Sequence, residues 1–285
     1  MTLQRDISLK PHSTMRLEAV GEEFHMPESV DELCEVRRLL ASQGRPCHWL
    51  GAGSNVVFAE RVNTPIVSLM KVDESIEDLG NGRFRAGCSV RIQALIRFAQ
   101  KRGFGGIEYL FSLPASFGGC VFMNAGRGRG SGLAIVNVLE EVELLDWGSG
   151  EIRREPVDRT AFGYRQSPYQ SQTCVVLGAT IRLIPQPREE TERKIRSRLD
   201  ASRTHLDAGL PSCGSVFCRG NGLIFRIFKY LHPKSGGLAF SSKTSNWIGN
   251  RGGGTLSDFK RLIAKMERAH RVLGQNCELE IRIFE

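Results

Sequence analysis

The spacing of apolar residues along the chain predicts five helices. In the first, apolar residues recur every three or four positions from Val30 to Leu40, and Ser29 or Asp31 can cap its start. The other four are predicted over residues 90–102, 188–205, 223–230 and 257–273. Gly103 follows the second helix, at a position where glycine commonly ends a helix.

Short apolar runs bounded by glycine, proline or polar residues predict strands between these helices. The two longest cover residues 136–145 and 174–183. Residues 7–20 are predicted as an extended segment interrupted at Pro11. Other strands are predicted at residues 46–50, 56–58, 64–69, 83–87, 246–248 and 277–284. The predicted fold class is α+β, in two units.

A glycine-rich stretch, S-L-P-A-S-F-G-G-C-V-F-M-N-A-G-R-G-R-G at 112–130, interrupts this pattern. It carries small residues where a core strand would carry branched ones. Because Gly118 and Gly119 have no side chains, we expect main-chain N–H groups there to face a ligand. Three later glycines can take positive φ at little steric cost: Gly126, Gly128 and Gly130. The expected ligand is an anion or a flat ring.

A second glycine-rich stretch, L-G-A-G-S-N-V-V-F, lies at 50–58 between two predicted strands. It is not the G-x-G-x-x-G of a dinucleotide-binding Rossmann turn, because no third glycine follows and no helix opens there. Taken alone, it can be a simple turn. Two such stretches in one chain indicate a single extended, phosphate-bearing cofactor that is contacted twice.

Length and composition indicate a globular protein with two domains. The chain has 285 residues, of which 41% are hydrophobic and 25% charged. No apolar run approaches the roughly 18 residues of a membrane span, and the first residues lack the apolar core of a signal peptide. We therefore expect a cytoplasmic protein.

The net charge of +8 raises the alternative of a nucleic-acid-binding or scaffold protein. However, the arginine-rich segment 188–203 also holds four acidic residues, which favours a solvated helix face, and no aromatic and basic stripe accompanies it. A positive field would equally attract small polyanionic ligands. Eight cysteines without C-x-x-C spacing are expected to be reduced, buried thiols, and the spacing of the six histidines gives no support for a metal site.

Three polar residues stand beside glycines or at the ends of apolar runs. Ser215 follows Gly214, although a plain turn also explains it, and the absence of a G-x-S-x-G motif argues against a hydrolase. Arg165 follows Tyr164 and can be held rigid to bind a carboxylate, or it can be an ordinary surface arginine. Glu280 lies in an alternating strand whose polar face can simply be solvated.

Six motifs, in order along the chain, resemble those of the UDP-N-acetylenolpyruvoylglucosamine reductase (MurB) family of flavoenzymes in peptidoglycan synthesis. They are S-L-K-P-H-S-T-M-R-L at 8–17, G-A-G-S-N at 51–55, L-P-A-S-F-G-G-C-V-F-M-N-A-G at 113–126, F-G-Y-R-Q-S at 162–167, P-S-C-G-S-V-F at 211–217 and E-L-E-I-R-I at 278–283. The absence of a long insertion after Arg165 resembles the shorter of the family's two types.

The resemblance implies an FAD-binding domain of the vanillyl-alcohol-oxidase (PCMH) type over residues 1–185, with subdomains of roughly 1–70 and 71–185, and a substrate-binding α+β domain over 186–285. The implied FAD contacts are Gly51, Ala52, Gly53, Ser54, Asn55, Pro114, Ala115, Ser116, Gly118, Gly119, Asn124, Ala125 and Gly126. The implied substrate contacts are Tyr164, Arg203 and Arg219.

The resemblance also implies a reaction in which hydride passes from NADPH through FAD to the enolpyruvyl ether of UDP-N-acetylglucosamine enolpyruvate. Arg165 and Glu280 match the family's residues that stabilise the resulting enolate, and Ser215 matches the proton donor. The implied partner is a small nucleotide-sugar substrate, with neither nucleic acid nor membrane as a partner, and we expect a monomer.

The sequence departs from the family pattern mainly on the substrate side. Arg219 stands where the family has an asparagine that helps hold the UDP diphosphate, and a guanidinium there can still bind phosphate. The family's A-G-A-Y-G becomes A-G-R-G-R-G, which adds Arg127 and Arg129. The family's H-A-N-F-I becomes T-S-N-W-I at 244–248. The alternative is therefore a divergent flavoprotein that acts on another nucleotide sugar or enol ether.

Overall fold

The computed structural model describes residues 2–170, 173–207 and 209–285, apart from the side chain of Arg129. Its helices are α1 (Val30–Ser42), α2 (Ile92–Gln100), α3 (Phe117–Phe122), α4 (Arg188–His205), α5 (Gly222–Leu231) and α6 (Leu256–Val272). All five predicted helices are therefore confirmed. Within these described ranges, no helix has both the length and the apolar character needed to cross a membrane.

The strands are mostly short. They are β1 (Thr2–Ser8), β2 (Val20–Met26), β3 (His48–Leu50), β4 (Val56–Phe58), β5 (Arg61–Val62), β6 (Ile66–Ser68), β7 (Ile76–Asp78), β8 (Arg83–Gly87), β9 (Phe104–Gly105), β10 (Leu139–Asp146), β11 (Ile152–Pro156), β12 (Cys174–Arg182), β13 (Ile184–Pro185), β14 (Phe217–Arg219), β15 (Lys234–Ser235), β16 (Leu238–Phe240), β17 (Ile248–Asn250), β18 (Glu278–Leu279) and β19 (Arg282–Phe284).

The chain divides into two compact units that differ from the expected domains. The first unit contains Met1–Leu3, His25–Ala52 and Ile66–Asp200, and the second contains Gln4–Phe24, Gly53–Pro65 and Ala201–Glu285. The division thus falls inside α4 rather than after residue 185. The early segments join the C-terminal residues because β4 pairs in parallel with β19, which local sequence patterns do not reveal.

In the first unit, a five-stranded antiparallel sheet has the order β11-β10-β12-β8-β7. The central strand β12 is buried along eight of its nine residues, which explains its unbroken apolar run. Val175 and Leu177 pack with buried residues of α1, whereas Val176 and Ile181 pack with those of α2 and α3. The sheet therefore has helices on both faces.

In the second unit, α5 and α6 pack on short strands around a separate core. Its largest fully buried side chains include Phe240 and Phe259, and Phe228 meets Phe240 edge to face with ring centroids 5.2 Å apart. Strands β15, β16 and β17 form one antiparallel sheet in that order, and β14 pairs with β18 in another. This core includes Met15 and Val57, so it draws on all three segments of the unit.

Three expectations from the sequence differ from the structure. The glycine-rich stretch at 112–130 contains a helix, α3. Strand β2, which begins where the extended segment 7–20 was expected to end, was not predicted, because the polar residues of V-G-E-E-F-H-M obscure its strand character. The eight cysteines are free thiols, as expected, but only four are buried: Cys88, Cys120, Cys174 and Cys213. The other four, Cys34, Cys47, Cys218 and Cys277, are half-buried.

The start of α6 carries a buried carboxylate that should make the second unit sensitive to acid. Asp258 and Thr255 form a reciprocal capping box, and Asp258 also accepts hydrogen bonds from Arg261 and Ser235. The Arg261 hydrogen bond is the largest of the influences that lower the pKa of Asp258 to about 2. A carboxylate whose folded pKa is depressed stabilises the fold above its unfolded pKa, and this stabilisation is lost as pH falls through the folded value.

We expect Asp258→Asn to lose about 1 to 2 kcal/mol of unfolding free energy at pH 7, because the charged cap is removed. The difference between variant and parent should shrink between about pH 4 and pH 2, where the parent's carboxylate becomes protonated. Urea unfolding at several pH values measures both effects. Glu267→Gln, on an exposed position of the same helix, is the control. A difference that stays constant down to pH 2 would contradict this account.

Candidate functional site

The two glycine-rich stretches meet in the first unit. A Cβ added to Gly51 would lie 2.8 Å from the Ser116 Oγ, and one added to Gly119 would lie 3.2 Å from the same oxygen. Neither would meet any other heavy atom within 4 Å beyond its chain neighbours and its own helix. The two stretches therefore approach each other at the Ser116 hydroxyl and leave space beside it.

Main-chain N–H groups of the glycine-rich stretch at 50–58 are available to a ligand. The N–H groups of Gly51 and Ala52 donate to no acceptor among the residues that the structure describes. By contrast, the expectation for Gly118 is wrong, because its N–H donates to the Cys88 carbonyl at 3.0 Å, where α3 packs closely on the chain. The Gly119 N–H donates to the Ser116 Oγ at 3.3 Å.

The closing glycines of the longer stretch also differ from expectation. None of the three glycines at 126, 128 and 130 has a positive φ, whereas Gly132 has a φ of +67°. The chain turns back at Gly132, and Gly126 then pairs with Ala134. A Cβ at Gly126 would lie 2.1 Å from the Leu133 carbonyl oxygen, so glycine is needed there for close strand approach.

Arg165 is held in a tight turn beside α3. The backbones of Gly163 and Gln166 exchange two hydrogen bonds of 3.1 Å, and Arg165 between them has a φ of +60°, which is uncommon outside glycine. Ser167 Oγ donates to the Phe122 carbonyl at 2.7 Å and ties the turn to the helix. Such strained backbone is typical of functional sites.

The charge of Arg165 reaches α3. Burial raises the pKa of the Cys120 thiol to about 12, and the positive charge of Arg165 opposes that rise. The guanidinium carbon lies 5.2 Å from the centre of the Tyr164 ring, and the side chain is half-buried. Arg165 is therefore not an ordinary surface arginine, and it lies close to the glycine-rich stretch.

Asn124, predicted as a cofactor contact, positions this turn. Its Nδ2 donates to the Gly163 carbonyl at 2.8 Å, and its Oδ1 accepts from the Val136 N–H at 3.3 Å. It adopts a φ of +43°, a left-handed conformation in which asparagine is enriched. Its contact with a cofactor stays a prediction.

Ser215 and Glu280 lie on neighbouring segments of the second unit. Ser215 pairs with Trp247, and the Glu280 N–H donates to the carbonyl of Val216 at 2.8 Å. Asn55, a second predicted cofactor contact, donates from Nδ2 to the Glu280 carbonyl at 2.9 Å. Both candidate catalytic residues are half-buried, so Glu280 is not on a fully solvated strand face.

One positioning residue of this region was missed in the sequence. Asn246 has a φ of +63°, and its side-chain amide exchanges two hydrogen bonds with the backbone of Phe217, at 3.0 and 2.7 Å. Its own carbonyl accepts from the Val216 N–H at 2.9 Å. The asparagine in the T-S-N-W-I segment was the available signal.

The two remaining substrate candidates are exposed. Arg203 lies on α4, and its carbonyl accepts from Lys243 Nζ at 2.7 Å. Arg219 lies on β14 with its Nε 3.2 Å from the Glu278 Oε2, so a phosphate there would compete with Glu278 for the guanidinium. The roles of these two arginines stay predictions.

Comparison with known proteins identifies the class. Residues 23–155 match the family model described as an FAD binding domain, so the protein is a flavoprotein. The chain is 33% identical to the UDP-N-acetylenolpyruvoylglucosamine reductase of Synechococcus sp. (strain JA-3-3Ab), over 99% of this chain and 91% of that protein. It is 32% identical to the enzyme of the same name from Pelobacter propionicus, over 99% and 95%.

The chain belongs to the UDP-N-acetylenolpyruvoylglucosamine reductase family. Its fold matches the crystal structure of UDP-N-acetylenolpyruvylglucosamine reductase (MurB) from Thermus caldophilus with a TM-score of 0.82, at 23% identity and over all of both chains. The family, the α+β fold with its FAD-binding domain, the oxidoreductase class and FAD as cofactor are therefore confirmed.

The residues of the first unit fit FAD. Gly51 and Gly119 leave space that a Cβ would fill, and unused N–H groups at Gly51 and Ala52 suit a pyrophosphate. The half-buried Arg165 lies in a turn that hydrogen bonds from Ser167 and Asn124 hold against the stretch at 112–130. The individual FAD contacts predicted from the sequence stay predictions.

Proposed function

We propose that this protein uses FAD and NADPH to reduce the enolpyruvyl ether of UDP-N-acetylglucosamine enolpyruvate to UDP-N-acetylmuramate, in the cytoplasm and for peptidoglycan synthesis. The observation that carries the proposal is the 33% identity to a reductase of this name over 99% of the chain. The small nucleotide-sugar substrate follows from the same relatives, and a monomer remains our expectation.

The chemistry divides between cofactor and protein. When bound, FAD would accept hydride from NADPH and supply it to the methylene carbon of the substrate. The electrons displaced by that addition collect on the adjacent carbon and its carboxylate as an enolate. Arg165 would bind the negative charge, and Glu280 would share a proton with it. Each well-placed donor of this kind contributes about 3 to 4 kcal/mol to the transition state.

Ser215 would complete the reaction by donating its hydroxyl proton to the enolate carbon, after which solvent reprotonates the serine. A serine hydroxyl is a weak acid, but an enolate carbon is basic enough to take its proton when the two are aligned. The contacts that fix the backbone beside Ser215, through Val216, Trp247 and Asn246, support this role.

NADPH oxidation by the FAD-loaded protein tests the proposed substrate. We expect oxidation to accelerate on addition of UDP-N-acetylglucosamine enolpyruvate and not on addition of UDP-N-acetylglucosamine, which lacks the enol ether. Mass spectrometry should show a product heavier than the substrate by two hydrogens. Flavin reduction by NADPH without any acceleration by this substrate would instead favour the divergent flavoprotein.

Arg165→Met should lower kcat by about 10²- to 10³-fold, because the enolate loses its cationic partner. Arg165→Lys should recover only part of this loss, since an ammonium cannot make the paired hydrogen bonds of a guanidinium. Steady-state kinetics with saturating NADPH measures both. Arg159→Met, an exposed position six residues earlier, is the matched control and should keep the parent rate. If Arg165→Met falls no further than this control, Arg165 is not in the catalytic machinery.

A further inference from the structure

Helix α5 exposes an apolar face. Its inner residues Ile224 and Phe228 are buried in the core of the second unit. Four further apolar side chains recur at helical spacing with relative exposures between 44% and 89%, namely Leu223, Ile227, Tyr230 and Leu231. A single exposed apolar residue is normal on a protein surface, but four along one face of a ten-residue helix form a patch.

Two more exposed apolar side chains lie at the end of α6, which meets the start of α5. The Asn221 N–H donates to the His270 Nε2 at 2.9 Å, and the Asn221 Nδ2 donates to the Gln275 Oε1 at 2.8 Å. Val272 and Leu273, between these two partners in sequence, are both exposed. The apolar surface of the second unit is therefore concentrated at this helix pair.

The surroundings of the exposed face of α5 are cationic. Residues 208–257 contain six lysines and arginines but no aspartate or glutamate, and Glu267 is the single acid in 259–277. Helical geometry places Arg226 and Lys229 along one edge of the apolar stripe. Arg268 and Arg271 lie near the end of α6. Among the described residues, none of these four cations forms an ion pair.

We propose that the exposed face of α5 binds the surface of an anionic lipid bilayer. A helix that lies in the plane of a bilayer inserts its apolar side chains at the headgroup level, while lysines and arginines beside them attract anionic headgroups. Tyr230 is the most exposed residue of the face, and tyrosine is enriched at this depth. The earlier expectation of no membrane partner came from the family resemblance and did not consider this face.

Two other occupants fit the exposed face of α5 less well. A second copy related by a two-fold axis would bring α5 against α5 and place Arg226 and Lys229 beside the same cations of its partner. An acidic amphipathic helix of another protein would dock in an apolar groove. The 89% exposure of Tyr230 shows instead that the side chains project from the surface.

Co-sedimentation of the FAD-loaded protein with lipid vesicles tests the proposal. One vesicle type contains equal parts of phosphatidylglycerol and phosphatidylcholine, and the other contains phosphatidylcholine alone. We expect the protein to bind the anionic vesicles at least about tenfold more tightly than the neutral ones. Binding to the anionic vesicles should weaken as salt is raised, because salt screens exposed charges.

The apolar contribution is tested by the double variant Leu223→Ser/Tyr230→Ser. Its binding to the anionic vesicles should weaken at least about tenfold, because two apolar side chains no longer insert. The matched control is Leu79→Ser/Ile152→Ser, which removes two exposed apolar side chains from the first unit. We expect this control to stay within about twofold of the parent, since scattered surface residues do not form a patch. Circular dichroism and flavin content check that each variant is folded.

The charge contribution is tested by Arg226→Gln/Lys229→Gln, which should also weaken binding to the anionic vesicles at least about tenfold. The control Lys101→Gln/Arg188→Gln lowers the net charge equally but at exposed positions of the first unit. It should stay within about threefold of the parent, because charges beyond a Debye length from the lipid are screened.

Several results would overturn the proposal. These are no binding of the parent to anionic vesicles, equal binding to both vesicle types, or control variants that lose as much binding as the α5 variants. A dimer in sedimentation equilibrium that Leu223→Ser/Tyr230→Ser abolishes would assign the face to a second copy. Binding of a helical peptide rich in glutamate and leucine, but not of anionic vesicles, would assign it to an acidic protein. Vesicle binding requires no turnover, so its outcome is independent of the proposed function.

Discussion

Replacing Ser215 with alanine should slow reduction of the enolpyruvyl substrate by about 10²- to 10⁴-fold while flavin reduction by NADPH keeps its rate. The reason is that the hydroxyl acts only after hydride has reached the substrate. Its proton is the one added to the enolate carbon, and alanine offers none. Stopped-flow absorbance near about 450 nm follows both half-reactions separately, because flavin loses this band when it is reduced.

The control for this variant is Ser212→Ala. Ser212 is in the same loop, and its Oγ accepts a hydrogen bond from the Gly214 N–H at 3.0 Å. Losing this hydrogen bond tests whether loosening the loop alone slows the reaction. We expect the rate of substrate reduction to change by less than about threefold. Equal losses in both half-reactions of Ser215→Ala would mean that Ser215 supports the fold or the cofactor rather than proton transfer.

Gly51→Val should abolish most FAD binding while leaving the protein folded. The Cβ alone would lie 2.8 Å from the Ser116 Oγ, and the two further methyl groups would occupy the space between the glycine-rich stretches. Gly51 does not have a positive φ, so valine meets no backbone penalty of that kind. Flavin absorbance per polypeptide after purification measures occupancy, and circular dichroism checks the fold.

A matched replacement separates loss of cofactor from general damage. An added Cβ at Gly222, the first residue of α5, meets nothing within 4 Å, so Gly222→Ala should retain full flavin content. Gly51→Ala should bind FAD less well than the parent but better than the valine variant. A valine variant with normal flavin content would remove Gly51 from the cofactor site.

The sequence predicted the helices and strands better than it predicted which of them pair or pack together. Helices such as α6 and strands such as β12 were predictable because their apolar spacing reports burial locally. The unit boundary was not, since the pairing of β4 with β19 joins distant parts of the chain. The short helix α3 was hidden because adjacent glycines are poor helix formers, and tertiary packing on Cys88 offsets that weakness.

The candidate site shows the same limit. Its charged and hydroxyl residues were visible in the sequence, and so were Asn55 and Asn124, but the backbone partners of Asn55, Asn124 and Asn246 were not. The expectation for Gly118 failed for a related reason. Glycine at a helix start permits either ligand approach or close packing, and only the tertiary contacts distinguish the two.

The bond from Asn55 to the Glu280 carbonyl spans 225 residues of sequence, which has a consequence for biosynthesis. At ribosomal rates of about 5 to 20 residues per second, Asn55 emerges on the order of ten to forty seconds before its partner. During that interval β4 and Met15 lack the C-terminal core that later covers them. The core of the second unit should therefore be completed only after the C-terminal segment has been synthesised.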